Sequence, residues 1–319
     1  MPVFRLLCAA LMSAFAASAN ASAPLTKQGP PGFYRMTVGQ FEVIALNDGT
    51  VDLPVNKLLT NTTPEKVDYE LGKSFLKSPL ETSFNAFLIN TGSKLVLIDT
   101  GADKLFGPTL GRLAANLKAA GYQPEQVDEI YITHMHGDHV GGLMAGGKMA
   151  FPNAIVRADQ RDADYYLSQA NLDKAPADQK GNFQGPIGAL GPYIKAGKFK
   201  PFNDNIQLLP GIRAIPSYGH TPGHTVYMVE SGGQKLLLWG DSLHVAPVQF
   251  ENPEVTISFD SDSKLAMAER KKYLADAAKY GYYIAAPHIS FPGIGRVRAD
   301  GKPKGEHYHW LPVNYSVPR

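Results

Sequence analysis

The chain has 319 residues, of which 44% are hydrophobic and 19% charged, and its formal net charge at pH 7 is +2. These proportions are those of an ordinary globular protein and exclude a disordered chain, which would carry fewer apolar and more charged residues. No block of basic residues is interleaved with aromatic ones, so we expect no nucleic-acid partner.

Residues 1–21 have the composition of an export signal. Arg5 precedes an apolar run that ends near Ala17, and Ala19-Asn20-Ala21 fits the cleavage rule for such signals. The run is shorter than the roughly 20 residues that span a bilayer, so we expect no membrane anchor. We therefore predict an exported protein, periplasmic or secreted, with a single domain over residues 22–319. Cys8, the only cysteine, would leave with the signal, so no disulfide or thiolate ligand is expected.

Apolar alternation and helical periodicity predict the order of the elements. In the first half we expect strands at 41–46, 83–90, 94–99, 130–133 and 154–157, helices at 105–120 and 159–168, and a loop-rich insertion at 50–80. In the second half we expect a long loop at 169–205, strands at 206–209, 212–215, 225–230, 235–239 and 282–286, and a helix at 262–280 capped by Ser261 or Asp260. Strands and helices alternate before and after residue 200, which favours two similar halves packed sheet on sheet with helices outside.

A dense group of potential metal ligands follows the apolar stretch 130–133. His134, His136, Asp138 and His139 lie within six residues. Imidazoles this close repel one another when protonated and gain little by packing, whereas neutral imidazoles with a carboxylate are typical ligands of a divalent cation. Four donors on so tight a turn cannot all face one point, which indicates two ions and further donors elsewhere.

The remaining donors are expected at the ends of strands. His220 lies in a Gly-rich turn between two predicted strands, whereas His224, at the start of the next strand, is expected to hydrogen-bond locally. Asp241 ends an apolar strand, where a carboxylate is costly unless it is paired or bound to metal, and His288 follows the last strand in the same way.

The complete ligand set resembles that of the metallo-β-lactamase superfamily: His134, His136, Asp138, His139, His220, Asp241 and His288. The resemblance implies an α/β fold, namely an αββα sandwich of two packed mixed β-sheets with helices on the outer faces. It implies that His134, His136 and His220 hold one ion. Asp138, His139 and His288 would hold a second ion, and Asp241 would bridge the two. Asp138 and Asp241 are thus the predicted catalytic carboxylates. Two divalent ions, two carboxylates and a bridging hydroxide leave a net charge of about +1, which favours anionic oxygen developing on a substrate. Zinc suits these donors, as do manganese, cobalt and iron.

A closer resemblance is to methyl parathion hydrolase and its lactonase relatives, and it is carried by residues 105–118, 292–295 and 312–316. It implies a homodimer and an aromatic pocket for the leaving group, formed by Phe106, Tyr166 and Phe183, with Tyr166 in place of a Trp. The alternative is that these aromatic residues belong to the core.

The chain departs from the phosphotriesterase of that family at further predicted substrate-binding positions. His244 stands in place of a Leu, Ile257 and Phe259 replace smaller or more flexible residues, and Leu58 and Leu59 stand where an Arg is found. Bulkier groups narrow the pocket and favour a flat substrate, as in the aryl-lactone hydrolases. The alternative for His244 is a solvated residue near the rim.

Other polar residues have simpler interpretations. Asp99-Thr100-Gly101 matches a half-site of aspartic proteases, but those enzymes need two carboxylates that share a proton, so we favour Asp99 as a support for the His-rich turn. His307 and His309 are expected on an exposed strand face, and 270–272 on a solvated helix face.

These expectations combine into a binuclear hydrolase of small lactones or aryl esters, with aryl lactones such as dihydrocoumarin as substrates and weak organophosphate hydrolysis as a side activity. A hydroxide that bridges the ions would attack the carbonyl carbon, and no serine or cysteine nucleophile would be needed. Acyl-homoserine lactones would fit an aromatic pocket less well. The alternatives are a methyl-parathion-type triester hydrolase and an exported metal-binding protein without catalysis.

Overall fold

The computed structural model describes residues 29–301 and 307–315, so the predicted signal at residues 1–21 lies outside the described residues. The strands are β1 Phe33–Val38, β2 Phe41–Leu53, β3 Leu59–Thr60, β4 Leu80–Asn90, β5 Leu95–Ile98, β6 Glu129–Tyr131, β7 Met144–Ala145, β8 Lys148–Met149, β9 Ile155–Arg157, β10 Ile206–Leu209, β11 Ile212–Pro216, β12 Thr225–Ser231, β13 Gln234–Leu238, β14 Thr256–Ile257, β15 Tyr283–Ala285, β16 Ile294–Ala299 and β17 Tyr308–Pro312. The α-helices are α1 Val55–Leu58, α2 Pro64–Lys73, α3 Leu113–Ala119, α4 Gly137–Val140, α5 Gln160–Tyr166, α6 Gln169–Lys174, α7 Gly181–Lys195, α8 Ala246–Gln249 and α9 Ser263–Tyr280.

Two mixed sheets form the centre of the structure. The first has the order β1-β2-β4-β5-β6-β9, and the second has the order β10-β11-β12-β13-β15-β16-β17. Neighbouring strands are antiparallel except for the pairs β5–β6, β6–β9 and β13–β15, which are parallel. Parallel strands need a crossover, and α9 supplies the one between β13 and β15.

Apolar side chains fill three layers. Phe87 and Tyr131 of the first sheet pack with Tyr227 and Leu238 of the second, which closes the space between the sheets. A second cluster joins the outer face of the first sheet to α3 and α7, and a third joins the outer face of the second sheet to α9. The predicted α/β sandwich with helices on its outer faces is therefore confirmed.

The segments that follow the parallel strands β13 and β15 lie at one edge of the sandwich. β13 and β15 run parallel and in register, so that the segments after them, with Asp241 and His288, leave the sheet side by side. The turn after β6 comes from the other sheet and is tied to the second one, because the Thr225 N–H donates to the Thr133 carbonyl at 2.8 Å. The predicted ligands, which are distant from one another in the sequence, therefore meet at one edge of the sandwich.

Residues 169–205 were expected to be a loop, and this expectation was wrong. They contain α6 and the 15-residue α7, although Pro186 and Pro192 lie inside the latter. The helix is stabilised by packing, since Phe183, Leu190 and Tyr193 recur at helical spacing and are buried. Counting Gly and Pro as breakers concealed this periodicity.

Several predicted boundaries also differ. The strand expected to stop at 46 continues to Leu53 through a bulge between Asn47 and Gly49, and the insertion at 50–80 contains α2. The helix expected over 105–120 is only α3, because Gly107 and Gly111 adopt positive φ. The cap of α9 is Asp262, which accepts from the N–H groups of Lys264 and Leu265.

Arg270 corrects the expectation of a solvated helix face at 270–272. Its side chain is buried and its Nε donates to the Pro253 carbonyl at 3.2 Å. Within the described part of the chain, no helix is both long and apolar enough to cross a membrane.

Candidate metal centre

The structure brings the seven predicted ligands together. Two groups of donor atoms lie within 4.8 Å of one another in each group: His134, His136, His220 and Asp241 form the first, and Asp138, His139, Asp241 and His288 form the second. Asp241 belongs to both groups. This division into two sets that share one carboxylate is the one implied by the family resemblance.

Distances in the first group fit one ion. The Nδ1 of His136 lies 3.0 Å from the Nε2 of His134 and 3.1 Å from the Nε2 of His220. Asp241 Oδ2 lies 3.6 Å and 3.3 Å from those same Nε2 atoms. Donors placed tetrahedrally at zinc bond lengths lie roughly 3.3 Å from each other, so the spacing matches a four-coordinate ion.

The second group has the same spacing. Asp241 Oδ1 lies 3.3 Å from His139 Nε2 and 3.2 Å from His288 Nε2, and Asp138 Oδ2 lies 3.4 Å from both nitrogens. His139 Nε2 and Asp241 Oδ1 are buried without a hydrogen-bond partner in the described structure. Buried polar atoms are normally satisfied, so this donor set fits a bound cation.

Each ligand histidine directs its second ring nitrogen at an oxygen. His134 Nδ1 pairs with Thr133 Oγ1 at 3.1 Å, and His139 Nδ1 with Asp99 Oδ2 at 2.8 Å. The other three pairs are His136 Nε2 with the Tyr166 hydroxyl at 3.1 Å, His220 Nδ1 with Asp260 Oδ1 at 2.8 Å, and His288 Nδ1 with the Ser83 carbonyl at 3.2 Å. Such partners fix the ring orientation and tautomer of metal-bound histidines.

The expected role of Asp99 is confirmed. Its Oδ1 accepts from the Thr133 N–H and its Oδ2 from the Thr133 hydroxyl, both at 2.8 Å, in addition to its contact with His139. Asp99 has φ +58°, a conformation that costs energy for a non-glycine residue. The backbone conformation of Asp99 is thus kept because its carboxylate contacts Thr133 and His139 of the His-rich turn.

His224 hydrogen-bonds locally, as predicted. Its Nδ1 contacts the Ser217 carbonyl at 2.9 Å and its Nε2 accepts from the Asp241 N–H at 2.9 Å. The close approach requires Gly240, which has φ +52° and whose added Cβ would lie 2.5 Å from His224 Nε2. His224 therefore positions the backbone of the shared carboxylate.

The sequence analysis did not identify two buried carboxylates as supports of the metal ligands. Asp162 accepts from the Met135 N–H and the Thr221 hydroxyl, both at 2.9 Å, and from the Gly223 N–H at 2.5 Å. It thereby joins the turn of His134 and His136 to the turn of His220. Asp260 orients His220, as described above. The only signal available was that both are acids next to apolar residues, which is too common to single them out.

The electrostatics of the metal-ligand cluster favour positive charge. Burial alone would lower the pKa of His220, but hydrogen bonds to Asp241 and Asp260 raise it to about 9. Burial likewise opposes the protonation of His139, yet Asp241, Asp138 and Asp99 raise its pKa well above the usual value. His136, further from the carboxylates, is dominated by burial, which together with His220 lowers its pKa to about 3. The carboxylates of the cluster thus stabilise positive charge, whether it is carried by a protonated imidazole or by a bound cation.

The aromatic residues predicted to form the leaving-group pocket lie in different surroundings. Phe106 is half exposed and lies close to Gly137, whose added Cβ would be 3.5 Å from its ring. Tyr166 and Phe183 are buried with ring centroids 5.8 Å apart. Tyr166 touches the metal-ligand cluster through its hydroxyl group, while Phe183 packs behind it in the core cluster that contains both residues.

The other predicted substrate-binding residues form two sets. His244 is buried rather than solvated at the rim, its Nε2 lies 3.0 Å from Asp241 Oδ2, and Phe259 stands beside it with ring centroids 6.2 Å apart. Leu58, Leu59 and Ile257 instead pack in one apolar cluster, in which Leu59 pairs with Ile257 between β3 and β14. Substrate contact by these residues stays a prediction.

His307 and His309 have separate partners. His307 Nδ1 pairs with the Glu251 carbonyl at 2.7 Å, and His309 Nε2 with Asp300 at 3.1 Å. His309 lies in β17 with about two fifths of its side chain exposed, whereas His307 precedes β17 with about a quarter exposed. The expected shared strand face is therefore wrong for His307.

Comparison with known proteins agrees with this fold. The family model described as the metallo-beta-lactamase superfamily matches residues 82–285. An N-acyl homoserine lactonase of Bacillus cereus is 26% identical over 211 residues, which are 58% of this chain and 74% of that protein. The crystal structure of AbOPH, a hydrolase in the beta lactamase superfamily, has a TM-score of 0.83 and 38% identity, covering 91% of this chain and 100% of that one. AidC, a dizinc quorum-quenching lactonase solved with a product, N-hexanoyl-L-homoserine, has a TM-score of 0.79 and 26% identity, covering 90% of this chain and 99% of that one.

Proposed function

Because the chain belongs to the metallo-β-lactamase superfamily, we propose that this metal-dependent hydrolase is a binuclear lactonase that acts on aryl lactones. The observation that supports it most is the pair of donor groups sharing Asp241, each spaced for one divalent ion. We propose zinc in both positions, since nitrogen and oxygen donors at this spacing suit it. A non-catalytic metal-binding role is set aside, because the related proteins are hydrolases.

Two divalent ions held there would polarise a carbonyl oxygen and lower the pKa of a coordinated water. The chain's own residues supply the rest. Asp241 presents one carboxylate oxygen to each group, and His244 and His224 hold its side chain and its backbone. Tyr166 fixes the ring of His136. These contacts fix the orientation of Asp241 and His136. The proposed reaction needs no serine or cysteine nucleophile.

Aromatic rings around the cluster favour a flat substrate. Phe259 lies beside His244, and Phe106 lies over the turn at Gly137. Phe106 is about half exposed and Phe259 about two fifths exposed, so part of each ring is open to a ligand. The aryl group of a lactone and the aryl leaving group of a triester would both contact such rings, but only a planar lactone would lie flat against them at its reacting centre, whereas a thiophosphate centre is tetrahedral. We therefore keep organophosphate hydrolysis as a weak side activity.

The test compares catalytic efficiency on dihydrocoumarin and on methyl parathion with zinc-loaded enzyme. We expect kcat/KM for dihydrocoumarin to exceed that for methyl parathion by at least about 100-fold, which is roughly 2.7 kcal/mol of transition-state stabilisation. A preference for methyl parathion would instead identify a triester hydrolase.

N-acyl homoserine lactones are a second candidate substrate class, favoured by the similarity to the Bacillus cereus lactonase and to AidC. Assaying N-hexanoyl-L-homoserine lactone beside dihydrocoumarin distinguishes the two classes. A kcat/KM higher for the homoserine lactone would replace aryl lactones as the preferred substrates.

Direct attack by water can be tested with oxygen-18. A single turnover in labelled water should place one label in the product carboxylate. If a carboxylate of the enzyme attacked the carbonyl and water then opened the resulting anhydride at the enzyme's carboxyl carbon, the enzyme oxygen would stay in the product and the first-turnover product would be unlabelled. Unlabelled first-turnover product would therefore contradict direct attack.

We also propose that the protein is exported after cleavage behind residue 21, on the evidence of its N-terminal sequence. Sequencing the N-terminus of the protein recovered outside the cytoplasm tests this, and an intact Met1 there would contradict it.

A further inference from the structure

Phe75 occupies a position that suits neither its backbone nor its side chain. It follows the C-terminus of α2 with φ +59° and is 99% exposed. Its N–H donates to the Gly72 carbonyl and the Leu76 N–H donates to the Leu71 carbonyl, both at 3.0 Å. This is the Schellman arrangement, in which the residue with positive φ is usually glycine. A phenylalanine there strains the backbone and leaves a large apolar ring in water, so local stability does not account for it.

The ring stands at the edge of a cavity of about 710 Å³. Its walls are mostly apolar, and Leu76, Pro79, Phe291 and Trp310 are among the residues that line it. The volume lies within the range of small-molecule sites in proteins, which are concave and lined by apolar and aromatic side chains. The cavity therefore has the size and the lining of a ligand site.

The cavity is also lined by two rings of the metal centre. His244 and His288 belong to its wall, and their rings are stacked with centroids 5.3 Å apart. His244 Nε2 and His288 Nε2 lie 3.0 Å and 3.2 Å from the two oxygens of Asp241. An apolar group in the cavity would thus be next to the reacting atoms, on the His288 side of the cluster. Tyr166 contacts the cluster at His136 instead.

We propose that this cavity binds the apolar acyl chain of a lactone or ester substrate and that Phe75 covers the bound chain. The inference rests on the proposed hydrolysis for its chemistry, and on Phe75 and the cavity for its location. An acyl-chain site adds chain-bearing lactones and esters to the aryl lactones proposed above. A second copy of the chain is the other occupant that an exposed phenylalanine would suit. The concave shape and the two histidines of the metal centre in its wall favour a small ligand.

The variant Phe75→Gly tests the proposal, since glycine suits the backbone there and the exposed ring makes no packing contribution. We expect this variant to fold and to unfold at a temperature equal to or roughly 2 °C above that of the unchanged protein. Tyr69→Ala is the matched control, because Tyr69 is an aromatic residue of α2 that is 68% exposed and is not among the cavity-lining residues.

Two esters with one leaving group separate chain binding from chemistry. For 4-nitrophenyl decanoate, we expect Phe75→Gly to raise KM about tenfold with little change in kcat. For 4-nitrophenyl acetate, both variants should stay within twofold of the unchanged enzyme, and Tyr69→Ala should do so for both esters. An unchanged KM for the decanoate in Phe75→Gly would overturn the proposal, as would equal losses for the two esters.

A binding measurement separates this inference from the proposed function. Octanamide carries the chain without a leaving group, and Trp310 in the cavity wall reports its binding by fluorescence. We expect saturable binding that is about tenfold weaker in Phe75→Gly and unchanged in Tyr69→Ala. If the enzyme hydrolyses neither ester nor dihydrocoumarin, the proposed function fails while this titration still tests the cavity. No saturable octanamide binding, or a change of oligomeric state in Phe75→Gly with unchanged octanamide binding, would overturn the proposal.

Discussion

Asp162 is a buried carboxylate that connects two ligand-bearing turns and belongs to neither group of donor atoms. Burial raises its pKa to about 6 despite the Gly223 and Met135 N–H groups, so keeping it ionised is costly. We expect Asp162→Asn to weaken zinc affinity at the His134, His136 and His220 group by 10–100-fold, because an amide N–H would replace one acceptor in a fully donated environment. Competition of the metal-free protein with a zinc chelator measures this.

The control is Asp159→Asn on the same helix. Asp159 is equally buried, but it caps α5 through the Arg161 N–H, and asparagine caps a helix as well as aspartate does. Its zinc affinity should not change. Equal affinities in the two variants would show that Asp162 has only a structural role.

The Tyr166 hydroxyl is expected to position His136. Removing it with Tyr166→Phe should lower zinc affinity roughly tenfold while leaving the ring packing against Phe183 intact. Tyr165→Phe, on the neighbouring and more exposed ring, is the control and should bind zinc normally. Unaltered zinc binding in Tyr166→Phe would return this residue to its predicted role in the substrate pocket.

The metal ligands could be predicted from the sequence, whereas the residues that orient those ligands could not. The close spacing of the donors from His134 to His139 indicates a metal site, and the place of Asp241 at the end of an apolar strand indicates a further ligand. Asp162 and Tyr166 act on residues 27 and 30 positions away, a relation that depends on how α5 packs. Nothing in the residue pattern encodes that packing.

The start of α9 and the turn that carries His220 form one unit. The Asp262 N–H donates to the Gly219 carbonyl at 2.8 Å and the Ser261 N–H to the His220 carbonyl at 3.0 Å. Gly219 has φ +127°, and an added Cβ would lie 2.3 Å from the Ala266 backbone nitrogen. We expect Gly219→Ala to lower the free energy of unfolding by about 3 kcal/mol and to reduce zinc affinity, because the helix and the turn must separate. Denaturant unfolding and chelator competition measure the two effects.

Gly281→Ala is the matched change at the other end of α9. Gly281 has φ +65°, but an added Cβ there would meet open space. It should cost about 1 kcal/mol of stability and leave zinc affinity unaltered. If Gly219→Ala also kept its zinc affinity, the helix would not support the metal centre.

Elements were predicted well where one periodicity dominates. The strands from Ile206 to Leu238 and the helix ending at Tyr280 appear within a residue or two of expectation. α7 was missed because its glycines and prolines outweighed the spacing of Phe183, Leu190 and Tyr193, and packing decides its structure. The interpretation of the fold survived because none of these errors involved the strands that carry the ligands.

For the whole molecule, bound metal should add stability. Asp241 is buried and Asp138 is partly buried, both carboxylates contact imidazoles, and an ion that binds only the folded state stabilises it by mass action. At zinc about 1,000-fold above its Kd, the gain is about 4 kcal/mol. Thermal unfolding with and without chelator should show this difference. Identical unfolding under both conditions would mean that the cluster binds no ion tightly.

The central claim is that two ions share Asp241 and carry the hydrolysis. Titrating metal-free protein with zinc by calorimetry, while following dihydrocoumarin hydrolysis in the same samples, tests it most directly. We predict saturation at two zinc ions per chain, with activity rising as the sites fill. Saturation at one ion, or full activity before any zinc is added, would contradict the account.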